Sequence, residues 1–260
     1  MRPAIRDLSD ELLAEVHYLN AARGGGSTVG RLPIQRATLS FSGGSPAPEL
    51  DAIIACSDLQ GVVRGELLGI AVAEQLEELA MEGVIPPAPR TGVILAGDLY
   101  SVPAANKRGG HGDVAEVWRA FAERFAWVTG VAGNHDDIDQ VAGETIHLLD
   151  GDVVELDGVR IGGVGRIIGN PEKRGRRDEA TQLALFDRVA DAAIVVMHEG
   201  PAGTRDDQRG NGLIGEVLEA GDFPLAICGH DHWEHPLSPI PRRGQVLNVD
   251  ARCVVLVVER

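Results

Sequence analysis

From residue 51 onward the chain alternates short apolar runs with amphipathic stretches. "AIIAC" (52–56), "TGVILAGD" (91–98), "AWVTGVAGNHD" (126–136), "AAIVVMHEGP" (192–201) and "PLAICGHDHWEHP" (224–236) read as buried strands. Between them, apolar residues at helical spacing predict helices over 66–83, 113–125, 178–190 and 212–220. This alternation predicts βαβ units with right-handed crossovers, hence an α/β fold. The middle stretch, 145–166, is punctuated by two "DG" pairs and reads as hairpins or a meander. Residues 244–260 close the chain as two strands.

The first fifty residues follow another pattern. "RDLSDELLAEVHYL" (6–19) spaces its apolar residues at helical intervals, and "RGGGSTVG" (23–30) ends that helix. "LPIQRATLSFSGGSPAP" (32–48) reads as irregular or weakly stranded. The expected organisation is therefore an N-terminal helix and lead-in, residues 1–50, packed on a domain of residues 51–260. No repeat, low-complexity tract or long linker divides the rest.

Composition narrows the function classes. The 260 residues suffice for a large core, and aromatics at only 4% leave that core to Val, Leu, Ile and Ala. No apolar run approaches the roughly 18 residues that span a bilayer. The charged N-terminus lacks a signal-peptide core, so a cytoplasmic location is the default expectation. Cys56, Cys228 and Cys253 lie in apolar runs without zinc-ligand spacing and read as buried free thiols. A net charge of −15 disfavours long polyanions such as nucleic acid as partners. No membrane partner is indicated, and the oligomeric state is left open.

The strand-like runs end in polar clusters. These are Asp58, Asp98, Asn134 with His135, His198, and His230 with His232. Ligands of α/β sheets bind at the carboxyl ends of strands. Asp, Asn and His converging there form a donor set suited to Mn, Fe or Zn. A lone Asp after a strand is usually a helix cap, and a lone His is usually structural. Five such endings in one chain argue for a site.

The ordered set "SDLQG … GDLY … GNHD … MH … GHDH" resembles the calcineurin-like metallophosphoesterase superfamily, whose pattern runs D-x-H, G-D, G-N-H-[DE], H, G-H-x-H. The match covers residues 51 to about 250, and only the first block departs, with Gln60 in place of a histidine. The resemblance implies a four-layer αββα sandwich of two mixed sheets flanked by helices. It implies two divalent metals, manganese first with iron, magnesium or zinc as alternatives. Asp58, Gln60, Asp98 and His232 would hold one metal, and Asp98, Asn134, His198 and His230 the other. A bridging hydroxide would attack phosphorus, and His135 would serve the leaving oxygen. The expected activity is hydrolysis of small or medium phosphomonoesters or phosphodiesters. A nuclease is one alternative, and a catalytically impaired phospho-ligand binder is another. The second block lacks the G-D-x-V-D-R-G of the protein-phosphatase branch, which argues against that branch.

Gln60 could coordinate weakly through its amide oxygen, reach metal-bound water, or merely hydrogen-bond beside an empty first position. Lys107, Arg108 and His111, after the Asp98 block, are candidates to hold a substrate phosphate. The basic run "NPEKRGRR" (170–177) could be a lid or a solvated loop. His235 reads as rim, and His17 and His147 as structural.

Overall fold

The computed structural model describes residues 1–260 except Arg23, Arg108, Asp139, Gln140, Ala142, Arg242 and Arg243. Two mixed sheets of nine and six strands form its centre. The first runs, in spatial order, Ile146–Leu148, Trp127–Gly130, Thr91–Leu95, Ala52–Ser57, Arg252–Val258, Ser27–Ser42, Arg2–Ala21, Val62–Val63 and Glu66–Leu67. The second runs Asp152–Leu156, Val159–Val164, Ile194–Glu199, Leu225–Gly229, Gly244–Asn248 and Leu237–Ile240.

Side chains alternate across a strand, and here both faces are buried, which is why these strands are apolar runs rather than alternating ones. Ile53 and Ala55 meet Ile194, Val196 and Ile227 between the sheets. Ala52, Ile54 and Cys56 face outward under the helices α1 (Leu68–Met81) and α2 (Ala115–Ala122). Those helices bury Val72, Leu76, Trp118 and Phe121 on the sheet, each such side chain contributing about 1.5–3 kcal/mol. On the far side, α3 (Glu179–Arg188) and α4 (Gly212–Ala220) cover Val195, Met197 and Ala226 with Phe186, Ile214 and Leu218. Their starts are fixed by caps: Asp178 accepts from the Thr181 amide and Asn211 from the Leu213 amide. Helices, sheet, sheet, helices make the expected four-layer αββα sandwich.

The N-terminal segment corrects one expectation. Residues 6–19 are not a helix but part of the strand Arg2–Ala21, paired antiparallel with Ser27–Ser42. Gly25 and Gly26, at φ 89° and 75°, turn a hairpin where a helix stop was expected. The helical spacing misleads because the strand slips register between Ile5 and Asp7 and twice between Leu8 and Ala14, shifting which residues face inward. Tertiary pairing overrides the local preference: Ser27–Ser42 lies parallel to Arg252–Val258, so the hairpin extends the main sheet. In the middle stretch, Asp152–Leu156 and Val159–Val164 form the hairpin, while Ile146–Leu148 joins the other sheet.

The three cysteines are buried and free. Among the described residues, no helix is long and apolar enough to cross a membrane.

Candidate metal centre

All five strand endings meet at one edge of the sandwich, and glycine lets them meet. A Cβ on Gly133 would lie 2.1 Å from Asp98 Oδ1, and one on Gly229 would lie 2.3 Å from Asp58 Oδ2. The glycines of the "GNHD" and "GHDH" blocks are therefore the price of close approach. Asp58, Asp98 and His230 have φ of 54°, 55° and 71°, a left-handed backbone that costs of order 1 kcal/mol or more per residue. The chain holds these three side chains in place against that strain.

Asp98, His198 and His230 each offer a donor atom, and these atoms lie within 4.8 Å of one another. His198 is wholly buried. Its Nδ1 donates to the Ala96 carbonyl at 2.9 Å, and its Nε2 lies 3.1 Å from Asn134 Oδ1 and 3.3 Å from Asp98 Oδ1. A neutral imidazole would aim its Nε2 lone pair at two acceptor oxygens, an arrangement that asks for a cation or a proton between them. A divalent metal fits this donor set. With no metal bound, burial disfavours both charges. The attraction between Asp98 and His198 overcomes it, holding the carboxyl low and raising the imidazole.

The Asp58 side differs. Asp58 Oδ2 accepts from Ser57 Oγ at 2.6 Å and from the His230 amide at 2.9 Å. Burial, then the nearby Asp250 charge, pushes its carboxyl well up. Gln60 Nε2 donates to Asp98 Oδ2 at 3.1 Å. His232 Nδ1 lies 3.0 Å from Asp250 Oδ1; a carboxylate can only accept, so Nδ1 carries the hydrogen and Nε2 is left with the lone pair that could bind a cation.

His135 is anchored twice: its amide donates to Asp98 Oδ1 at 2.9 Å, and Nδ1 donates to the Gly110 carbonyl at 2.6 Å. Its Nε2 lies 3.9 Å from Asp98 Oδ2. A cavity of about 400 Å³ opens above this group, bordered by Asp58, Gln60, Asp98, His135 and His230, with Lys107 among its other walls. The exposed His111 ring is 5.6 Å from that of His135. Arg108 lies outside the described residues. His235 pairs with Asp207, away from the cavity lining. In the basic run, Arg177 pairs with Asp150, while a Cβ on Gly175 would strike the Asn134 backbone, so this loop abuts the site.

Asp136, Asp250 and Tyr18 are among the residues of the site that carried no assignment from the sequence. Asp136 accepts from the amides of Gly133, Leu99 and Tyr100, tying two strand ends together; burial, then Asp98, pushes its carboxyl up to about 6. The fourth position of "GNHD" was its signal. Asp250 sits where the chain crosses from the second sheet into the first, and Tyr18 comes from the N-terminal hairpin. Neither lies in a motif.

An αββα sandwich with Asp, Asn and His donors gathered at its strand ends makes a site suited to a divalent metal. The chain belongs to the calcineurin-like phosphoesterase family, whose model matches residues 52–234. Members of that family are metal-dependent phosphoester hydrolases with a dinuclear divalent centre. Among solved structures, the chain is similar to TT1561 of Thermus thermophilus, with 16% identity over 80% of this chain and 88% of that one and a TM-score of 0.51. It also matches a hypothetical protein from the same organism, with 15% identity over 76% and 75% and a TM-score of 0.45. At such identity the first likeness speaks for the fold alone. No curated protein matches the chain.

Proposed function

We propose that the protein hydrolyses phosphoester bonds of small or medium substrates, monoesters or diesters, in the cavity above Asp98. Asp98, Asn134, His198 and His230 would hold one divalent metal, and Asp58, Gln60, Asp98 and His232 a second, with Asp98 shared. Manganese is the first ion to try. Bound there, the metals would supply Lewis acidity toward phosphoryl oxygens and activation of water.

The rest falls to the chain's own side chains. With its Nδ1–H committed to the Gly110 carbonyl, His135 would give a proton to the leaving oxygen from Nε2 of the imidazolium, which the transfer leaves as the neutral Nδ1–H tautomer. Lys107 on the cavity wall attracts the phosphate, and His111 extends that wall beside His135. Asp136 positions the loops that carry Asp98 and Asn134. The net charge of −15 and a cavity of about 400 Å³ suit a compact substrate better than a polynucleotide.

The observation that supports this function most is the approach of the Asp98, His198 and His230 donors to within 4.8 Å. The test is release of nitrophenol from p-nitrophenyl phosphate and bis(p-nitrophenyl) phosphate with manganese added, against the same protein in chelator. Metal-dependent turnover of either supports the proposal, and equal rates with and without metal overturn it. One contact favours a second reading, an impaired phospho-ligand binder: the Gln60 amide occupies Asp98 Oδ2 at 3.1 Å. That reading predicts phosphate binding without turnover.

A further inference from the structure

We propose that the two tyrosines of the chain, Tyr18 and Tyr100, recognise the organic half of the substrate as a flat ring carrying polar groups. This rests on the hydrolase function proposed above and adds the class of its substrate. Tyr18 and Asn20 belong to the N-terminal hairpin, outside residues 52–234 that match the family, yet both border the same cavity as Asp58, Gln60 and Asp98. Tyr100 follows Asp98 by two positions and borders that cavity too. The chain has two tyrosines and few aromatics of any kind, so their meeting at one cavity is a concentration of scarce residues.

Both rings are seated on glycine. A Cβ on Gly61 would lie 2.2 Å from Tyr18 Cδ2, and one on Gly30 would lie 2.6 Å from Tyr18 Cζ. Gly61 ends the stretch that carries Asp58 and Gln60, so the hairpin ring rests directly on the metal-site loop. A Cβ on Gly112 would lie 1.9 Å from Tyr100 Cε2. Any other residue at these three positions would displace the rings. Asn20, two residues on and at the same cavity, accepts the Ala21 amide through Oδ1 at 2.7 Å.

The rest of the lining argues against a lipid chain. Val102 and Ala251 are its only aliphatic side chains among the described residues, too few for a lipid chain. Seated aromatic rings beside amide, hydroxyl and lysine groups suit a planar group with polar substituents. Such a ring gains offset or edge contacts with tyrosine at little cost in side-chain freedom.

The experiment is calorimetric titration of the manganese-loaded protein with phenylphosphonate and with methylphosphonate, which share the phosphonate and differ in the ring. Phenylphosphonate should bind roughly three- to tenfold more tightly, the scale of one aromatic contact. That gap should survive in Tyr18→Phe and shrink to below about twofold in Tyr18→Leu or Tyr100→Leu, with methylphosphonate affinity held. Should Tyr18→Leu fail to fold, Tyr100→Leu and the wild-type pair still decide. Equal affinity of the two probes in wild type, or a gap unchanged by every leucine variant that folds, overturns the inference while leaving the hydrolase function standing. Failure of wild type to bind either phosphonate overturns that function, and this inference with it.

Discussion

His198 lies near the end of the strand Ile194–Glu199 and His232 just beyond Leu225–Gly229, both in the six-stranded sheet, yet their surroundings have little in common. The His198 side chain is wholly buried, with both ring nitrogens engaged by Ala96, Asn134 and Asp98. The His232 side chain is 57% exposed, and its partner within the site is Asp250. The same contrast runs through their neighbours. Asn134 and Asp98 are buried around His198, whereas Gln60, an amide like Asn134, is only half-buried beside Asp58. An enclosed, mutually bonded donor set is preorganised and would release an ion slowly, whereas an exposed one would give it up more readily. On the function proposed above, one half of the centre would retain its ion and the other would exchange it.

Removing what the halves share should have the largest effect. Asp98→Asn takes away the carboxylate that both would use, and hydrolysis should fall by about 10² to 10⁴. Steady-state kinetics under saturating manganese check this; near wild-type turnover would place the chemistry elsewhere. His135→Ala comes next, because it alters chemistry in neither half's ligand set. Turnover should fall by about 10² or more while metal content holds. The loss should be greater for an alkyl phosphate than for nitrophenyl phosphate, whose leaving group needs no proton. Metal loss equal to that of His230→Ala would make His135 a ligand instead.

How far the sequence announced this contrast depends on what kind of signal each residue sends. Asp58, Asp98, Asn134, His198 and His230 stand at or within a few residues of strand ends, where periodicity and motif agree, and the fold brings them together. The layers were legible for the same reason: runs such as "AIIAC" are apolar throughout because both faces are covered. The hairpin was not legible, since register slips at Ile5, Leu8 and Leu12 mimic helical spacing and its pairing partner, Arg252–Val258, lies over 200 residues away. Asp250 and Tyr18 escaped notice with it. Their place at the cavity depends on long-range pairing that no local pattern records.

Asp250 offers a way to sharpen the comparison on the open side. If its carboxylate orients His232 through Nδ1, Asp250→Asn should weaken metal binding there by about 10- to 100-fold, as expected for loss of a carboxylate behind a ligand histidine. The His198 half should keep its ion. Equilibrium dialysis that resolves two affinities checks the claim, and equal weakening of both would show that the halves are not independent.

Gln60→His is the mildest change and probes the contrast most directly. Wild type should purify with its second ion under-occupied and respond to added manganese, because the residue beside Asp58 offers an amide where the family has imidazole. Histidine is a stronger donor for such ions than the Gln60 amide, which now donates to Asp98 Oδ2 at 3.1 Å. The substitution should therefore raise affinity at the open half severalfold and leave the His198 half untouched. Turnover under saturating manganese should change little, since occupancy is then complete in both proteins. At limiting manganese the variant should be the faster enzyme. If wild type instead carries two firmly held ions as purified, and Gln60→His shifts neither affinity, the open half is as tight as the closed one. Exposure would then be a poor guide to retention in this centre.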